Sequence, residues 1–170
     1  MMFDPQTTAC FTGHRPQKLS GFDENNPVAI RVKALLKLEV EKLIKLGYIN
    51  FISGGALGVD TWAAQIVLEL KTQFTQIKLI IAKPFPSQDS MWLKKSRDDF
   101  KELCQRADQI VEVSQDPYTA WKMQVRNEYM IDNSSTVIAV WDGSSGGTGN
   151  AVNYARKKNK NIIIIHPKSS

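Results

Sequence analysis

Apolar runs of strand length alternate with amphipathic runs of helix length along this chain, and that order constrains the fold more than any single motif. The strand-like runs are Thr8–Thr12, Tyr48–Ser53, Ile77–Ala82, Gln109–Val113, Thr136–Trp141 and Asn161–Ile165. Ile, Val and Phe dominate them with little polar alternation, the pattern of strands covered on both faces. Ile162-Ile163-Ile164-Ile165 is the plainest example. Asn26-Pro27 supplies an N-cap and a first-turn proline. Val28, Val32, Leu35, Leu36, Val40, Leu43 and Ile44 then recur at helical spacing, with Lys33, Lys37, Glu41 and Lys45 opposite, and Gly47 ends the helix. Further helices are expected over about 58–72, 90–106, 118–132 and 148–159. At 170 residues the chain is sized for one core, and no repeat, low-complexity tract or linker divides it. The expectation is an α/β, Rossmann-like domain over residues 1–170, a mostly parallel sheet with helices on both faces and right-handed crossovers.

Parallel open sheets bind ligands outside the carboxyl ends of their strands, and each unusual segment here follows a strand. Gly13-His14-Arg15-Pro16 follows the first, Ser53-Gly54-Gly55-Ala56-Leu57-Gly58-Val59-Asp60 the second, Lys83-Pro84-Phe85-Pro86 the third, and Asp142 to Asn150 the fifth. They are expected to gather on one rim. Glycines let a backbone approach a ligand, and a helix start offers unpaired N–H groups at the positive end of a dipole. The first loop is read as aiming the N–H groups of Gly55, Ala56 and Gly58 at an anion, with Asp60 capping the following helix or bonding a ribose hydroxyl. In the second loop Gly146, Gly147 and Gly149 bracket Thr148, whose hydroxyl caps or binds phosphate. Arg15 suits a phosphate or carboxylate and His14 a hydrogen bond or proton transfer. Arg126 and Asn127, on the helix before the fifth strand, suit phosphate and ribose if they point to the rim. Trp141 ends a strand facing that rim, in position to stack on a base, and Trp92 is placed to wall the pocket; for each tryptophan the alternative is core packing.

Cys10 and Cys104 are too few for a disulfide framework and read as structural thiols of a reducing cytosol. The two histidines form no metal pattern with them. The segment around Asp4 and Pro5 has neither a basic flank nor an apolar signal core, and no apolar run is long enough for a membrane span. A cytoplasmic location is therefore expected. The formal net charge of +5 suits an anionic partner.

Taken in order, Thr12-Gly13-His14-Arg15-Pro16, Ser53 to Asp60, Pro84-Phe85 with Gln88 and Trp92, Arg126-Asn127 with Met130-Ile131-Asp132, and Val140-Trp141-Asp142-Gly143 with Gly146-Gly147-Thr148 run through nearly the whole chain. This set resembles the SLOG superfamily, which includes the DNA-processing protein A (Smf) fold and the lonely-guy (LOG) proteins, and within it the YpsA-like branch, as a small prophage-type member. The resemblance implies a Rossmann-like fold and a nucleotide-type ligand. LOG phosphoribohydrolases carry a Pro-Gly-Gly-x-Gly-Thr-x-x-Glu loop whose Glu is catalytic. Asn153 stands at that Glu here and Asn150 at the Thr. An amide cannot take or hold a proton as a carboxylate does, which argues against LOG-type hydrolysis by this loop.

The expectation for function is a protein that binds a nucleotide or a nucleotide derivative, ADP-ribose- or NAD-like, as a sensor or sequestering module. One alternative is a hydrolase of nucleotide-like N-glycosidic or phosphoester bonds, for which His14, Asp60 and Asp142 are the motivation. The other is single-stranded DNA binding, implied by the resemblance to DNA-processing proteins, with lysines along the strand and tryptophans against the bases. No cofactor or metal is expected beyond the nucleotide ligand. Homo-oligomerisation stays open, because edge strands and exposed helix faces cannot be assigned from the sequence.

Overall fold

A computed structural model describes residues 3–19 and 25–168. Six strands form a single sheet in which every pairing is parallel: β1 (Thr8–Gly13), β2 (Asn50–Ser53), β3 (Lys78–Lys83), β4 (Gln109–Glu112), β5 (Thr136–Val140) and β6 (Asn161–Ile165), in spatial order β4-β3-β2-β1-β5-β6. Five α-helices connect them: α1 (Pro27–Lys45), α2 (Val59–Lys71), α3 (Lys94–Arg106), α4 (Ala120–Asp132) and α5 (Gly147–Lys157). The fold is the α/β Rossmann-like one expected.

Alternation along each strand divides the core into two layers. Ala9, Phe11, Phe51, Leu79 and Ile138 face α1, α2 and α3, while Cys10, Ile52, Ile80 and Val137 face α4 and α5. Asn26 caps α1 by accepting from the Ala29 N–H at 2.9 Å, with Pro27 in the first turn. The helix then buries Ala29, Val32, Leu36, Val40, Leu43 and Ile44, and Val28 and Leu35 pack half-buried beside them. Helix α3 begins at Lys94, four residues later than its sequence pattern suggests, because residues 90–92 are turns.

One expectation needs correcting. The four-isoleucine run is an edge strand, not one covered on both faces. Ile163 packs on one layer and Ile162 on the other, yet Ile164 is 45% exposed, and at the opposite edge Ile110 of β4 is 44% exposed. β-Branched residues specify a strand but do not say whether a neighbour lies beyond it. Cys10 is fully buried and burial pushes its thiol up to about 12, consistent with a packing role. Among the described residues no helix is long and apolar enough to cross a membrane.

The chain winds from β1 outward to β4, then crosses back to β5 on the other side of β1. The reversal lies between β1 and β5, where Gly13 pairs with Val140. A crevice opens at such a switch point, beyond the carboxyl ends of the strands.

Candidate functional site

The crevice is a cleft of about 970 Å³. Gly13, His14 and Arg15 enter it from the end of β1, Ala56 and Asp60 from the first glycine loop and α2, Arg126 and Asn127 from α4, and Gly146, Gly147 and Thr148 from the start of α5. Segments distant in sequence thus meet on one rim. Ser53, Gly54, Gly55, Gly58, Trp141 and Asp142 do not line the cleft, and stand behind its wall.

The first glycine loop differs from its sequence reading. The N–H of Gly55 donates to Ser53 Oγ at 3.1 Å, and that of Ala56 to Asp60 Oδ2 at 3.3 Å. Ser53 Oγ in turn donates to the Asp60 carbonyl at 2.7 Å. Two of the amides expected to hold an anion are therefore engaged by the loop's own side chains, which fold it locally. Its glycines serve close packing. A Cβ at Gly58, where φ is +90°, would stand 2.7 Å from the His14 carbonyl oxygen, and one at Gly13 would stand 2.6 Å from Val59. The loop is thus pressed against the His14-Arg15 turn and fixes it.

The second loop keeps the open character expected of a cradle. Nothing lies within 4 Å of a Cβ built at Gly146 or Gly147. Among the described residues no protein group accepts from the N–H of Gly147 or Thr148, the first positions of α5. Those N–H groups carry the positive end of the α5 dipole. Trp141 departs from the base-stacking expectation. Its Nε1 donates to the Ser144 carbonyl at 2.8 Å and Arg156 lies over its ring at 5.6 Å, so the indole braces the loop from behind.

Several side chains in the cleft share one design: part of the group is anchored to protein and another atom is left open. Arg126 is 3% exposed. Its Nη1 donates to the Gly54 and Ala82 carbonyls at 2.6 and 3.2 Å, its Nε donates to Asn127 Oδ1 at 3.0 Å, and among the described residues Nη2 has no acceptor. Asn127 Nδ2 has no acceptor among the described residues. Asp60 is 7% exposed, with Oδ2 on the Ala56 N–H and Oδ1 without a partner among the described residues. These open atoms are not sealed in the protein interior; among the described residues the sealed, unpartnered side-chain atoms are Gln88 Oε1 and Gln109 Oε1. Arg15 is exposed and has no ion-pair partner among the described residues. Burial raises the Asp60 pKa, against the opposing pull of Arg126 and Arg15. Burial likewise lowers that of Arg126, which Asp60 counteracts.

His14, 5% exposed, is oriented by Asp142. Its Nε2 lies 3.0 Å from Asp142 Oδ1 and 3.1 Å from the Asp142 N–H. Nε2 accepts from that N–H when bare and donates to the carboxylate when it carries the proton. Asp142 Oδ1 also accepts from Ser144 N–H at 2.9 Å and Ser144 Oγ at 2.5 Å, which holds its pKa well below the carboxylate range. Lys18 Nζ extends the chain to Ser144 Oγ at 2.8 Å. Burial lowers the His14 pKa despite Asp142, and among the described residues its Nδ1 has no partner.

The far wall comprises Phe85, Ser87, Gln88, Met91, Trp92, Asp116 and Tyr118. Ser87 donates through N–H and Oγ to Asp116 Oδ1 at 3.0 and 2.6 Å, tying the loops after β3 and β4. Phe85 and Tyr118 pack edge to face at 5.6 Å. Trp92 and Gln88 fall on the wall as their sequence position suggests. The Asp116-Pro117-Tyr118 segment was missed, although it follows a strand end and the rim rule points to it. Asn153 is exposed on α5 and lies outside the cleft.

Comparison with known proteins bears on the fold and the family. The protein DNA processing protein A from Helicobacter pylori, described for its single-stranded DNA binding mode, superposes with a TM-score of 0.63 at 20% identity, over 95% of this chain and 65% of that one. DNA processing protein A (DprA) from Streptococcus pneumoniae gives 0.64 at 15% identity, over 96% and 50%. At these identities the likeness is one of fold, and this chain spans between half and two thirds of theirs. In sequence, the SPbeta prophage-derived protein YoqJ of Bacillus subtilis is 42% identical over 144 residues, 78% of this chain and 84% of that protein. A UPF0398 protein of Brevibacillus brevis is 32% identical over 138 residues, 81% of this chain and 73% of that protein. The model of the YspA SLOG family (YpsA) matches residues 9–169, and the chain belongs to that family.

Proposed function

We propose that this protein binds a nucleotide or nucleotide derivative in the switch-point cleft, with phosphate at the start of α5. The observation that carries the reading is the open Gly146-Gly147-Thr148 turn, which lines a cleft also lined by Arg15, an arginine with no ion-pair partner among the described residues. Oriented amides and a helix dipole favour phosphate, and an arginine adds a charge-assisted fork. Asp60 Oδ1 and Asn127 Nδ2 offer an acceptor and a donor, the complement of sugar hydroxyls. The far wall offers Phe85, Trp92 and Tyr118 to an aromatic base. A sensor or sequestering role follows from binding alone.

Calorimetric titration with nucleoside mono- and diphosphates, NAD and ADP-ribose tests the reading. Saturable binding by at least one is expected, weakened in Gly147→Val. Folded protein that binds none of them contradicts it.

The rival partner is single-stranded DNA, supported by the fold shared with DNA-processing proteins. A strand needs a groove that tracks its backbone and aromatic platforms for successive bases, whereas this cleft is walled on its far side by the joined 87 and 116 loops. A gel shift at low and moderate salt separates the two, since phosphate contacts weaken with salt.

A further inference from the structure

Two proton-handling groups open into the same cleft. His14 presents Nδ1, its other nitrogen facing Asp142 at 3.0 Å. Asp60 presents Oδ1, its other oxygen held by the Ala56 N–H. The two are close in the backbone, because the N–H of Val59, the residue before Asp60, donates to the His14 carbonyl at 3.4 Å. A base oriented through its far nitrogen by a carboxylate, next to donors that hold an anion, is the arrangement of general acid–base sites.

The geometry points to a hydrolytic activity in which His14 and Asp60 serve as base and acid on a phosphoester of the bound nucleotide. This rests on the phosphate placement proposed above. In the step, a water oxygen forms a bond to phosphorus while His14 Nδ1 takes its proton and Nε2–H donates to Asp142. The bond from phosphorus to the leaving sugar oxygen breaks, and the Asp60 carboxylic proton goes to that oxygen. The products are a phosphate and an alcohol; return of the His14 proton to Asp60 through water restores the site, with no net oxidation or reduction.

The electrostatics agree with these roles. Burial lowers the His14 pKa, which disfavours the charged ring, and raises that of Asp60 against the pull of Arg126 and Arg15, which disfavours the carboxylate. Environments that separate the proton affinities of two groups from their ordinary values in this way assign base and acid. Lys18, Asp142 and His166 act on His14, and Arg15 and Arg126 on Asp60.

The test is turnover of bis(p-nitrophenyl) phosphate and thymidine 5′-(p-nitrophenyl phosphate), compared with 3′,5′-cyclic AMP and AMP, whose leaving groups are alkoxides. Calorimetry on the same samples reports binding. His14→Asn is expected to cut kcat by about 100-fold or more on both kinds of ester, with binding kept. Asp60→Asn is expected to cut kcat on the alkoxide esters alone, because p-nitrophenolate leaves without a proton. Probes that bind without turnover overturn the hydrolytic inference and leave the binding proposal standing; probes that do not bind overturn the hydrolytic inference, and the binding proposal falls with it when nucleoside diphosphates, NAD and ADP-ribose also fail to bind. If a variant fails to fold, the wild-type pH profile decides. A rate that falls in acid as His14 protonates and falls in alkali as Asp60 ionises supports the assignment, and a flat profile refutes it.

Discussion

His14 Nε2 lies 3.0 Å from Asp142 Oδ1, joining the ends of β1 and β5 across the switch point of the sheet. The contact links residues 128 positions apart and sets one side of the cleft. Burial is the larger influence on His14 and lowers its pKa, while the Asp142 hydrogen bond pulls the other way. The unfolded chain therefore binds a proton below the ordinary histidine value of about 6.5 that the folded protein resists. Stability is expected to fall as pH drops from about 6.5 toward the lower folded value. Thermal melts from pH 8 to pH 5 should show this loss, and His14→Gln should flatten it. In Asp142→Asn the His14 titration, followed by NMR, should move further down, since a raising influence is gone; an upward move contradicts the arrangement.

Glycines at two positions should behave oppositely. A Cβ at Gly147 meets nothing within 4 Å, whereas at Gly55, with φ +71°, it would stand 2.5 Å from Phe100 Cε1. Gly147→Val is expected to melt close to wild type and to lose nucleotide affinity. Gly55→Val is expected to lose about 2 kcal/mol or more of stability through backbone strain and overpacking. Denaturant unfolding and calorimetry on both variants check the pair.

The two arginines of the cleft also divide. Arg126 is 3% exposed and serves the Gly54 and Ala82 carbonyls, while Arg15 is exposed. Arg126→Met leaves those buried carbonyls without a donor, at a cost of about 3 kcal/mol. Arg15→Ala should leave the unfolding midpoint unchanged and weaken nucleotide binding by about 1.5–3 kcal/mol. Equal stability losses in the two variants would contradict this division.

The strand segments and the shared rim were legible because hydrophobic period and loop position are local properties of the chain. The six strand-like runs all became strands, and Gly13, Arg15, Asp60, Arg126 and Gly147 met at one cleft. What the sequence left hidden depends on partners far along the chain. A glycine loop reads alike whether its amides face a ligand or, as with Gly55 and Ala56, its own Ser53 and Asp60. Trp141 was equally suited to a base or to the Ser144 carbonyl that it holds. The edge position of Ile162-Ile163-Ile164-Ile165 is set by what fails to pair beyond β6, and the run itself carries no sign of it.

Backbone amide NMR during titration with AMP, ADP, NAD and ADP-ribose tests the central claim most directly. A binding nucleotide is expected to shift the N–H resonances of Gly147 and Thr148 and to leave those of the β4 edge unmoved. A folded protein in which none of these nucleotides moves the Gly147 and Thr148 resonances would contradict it.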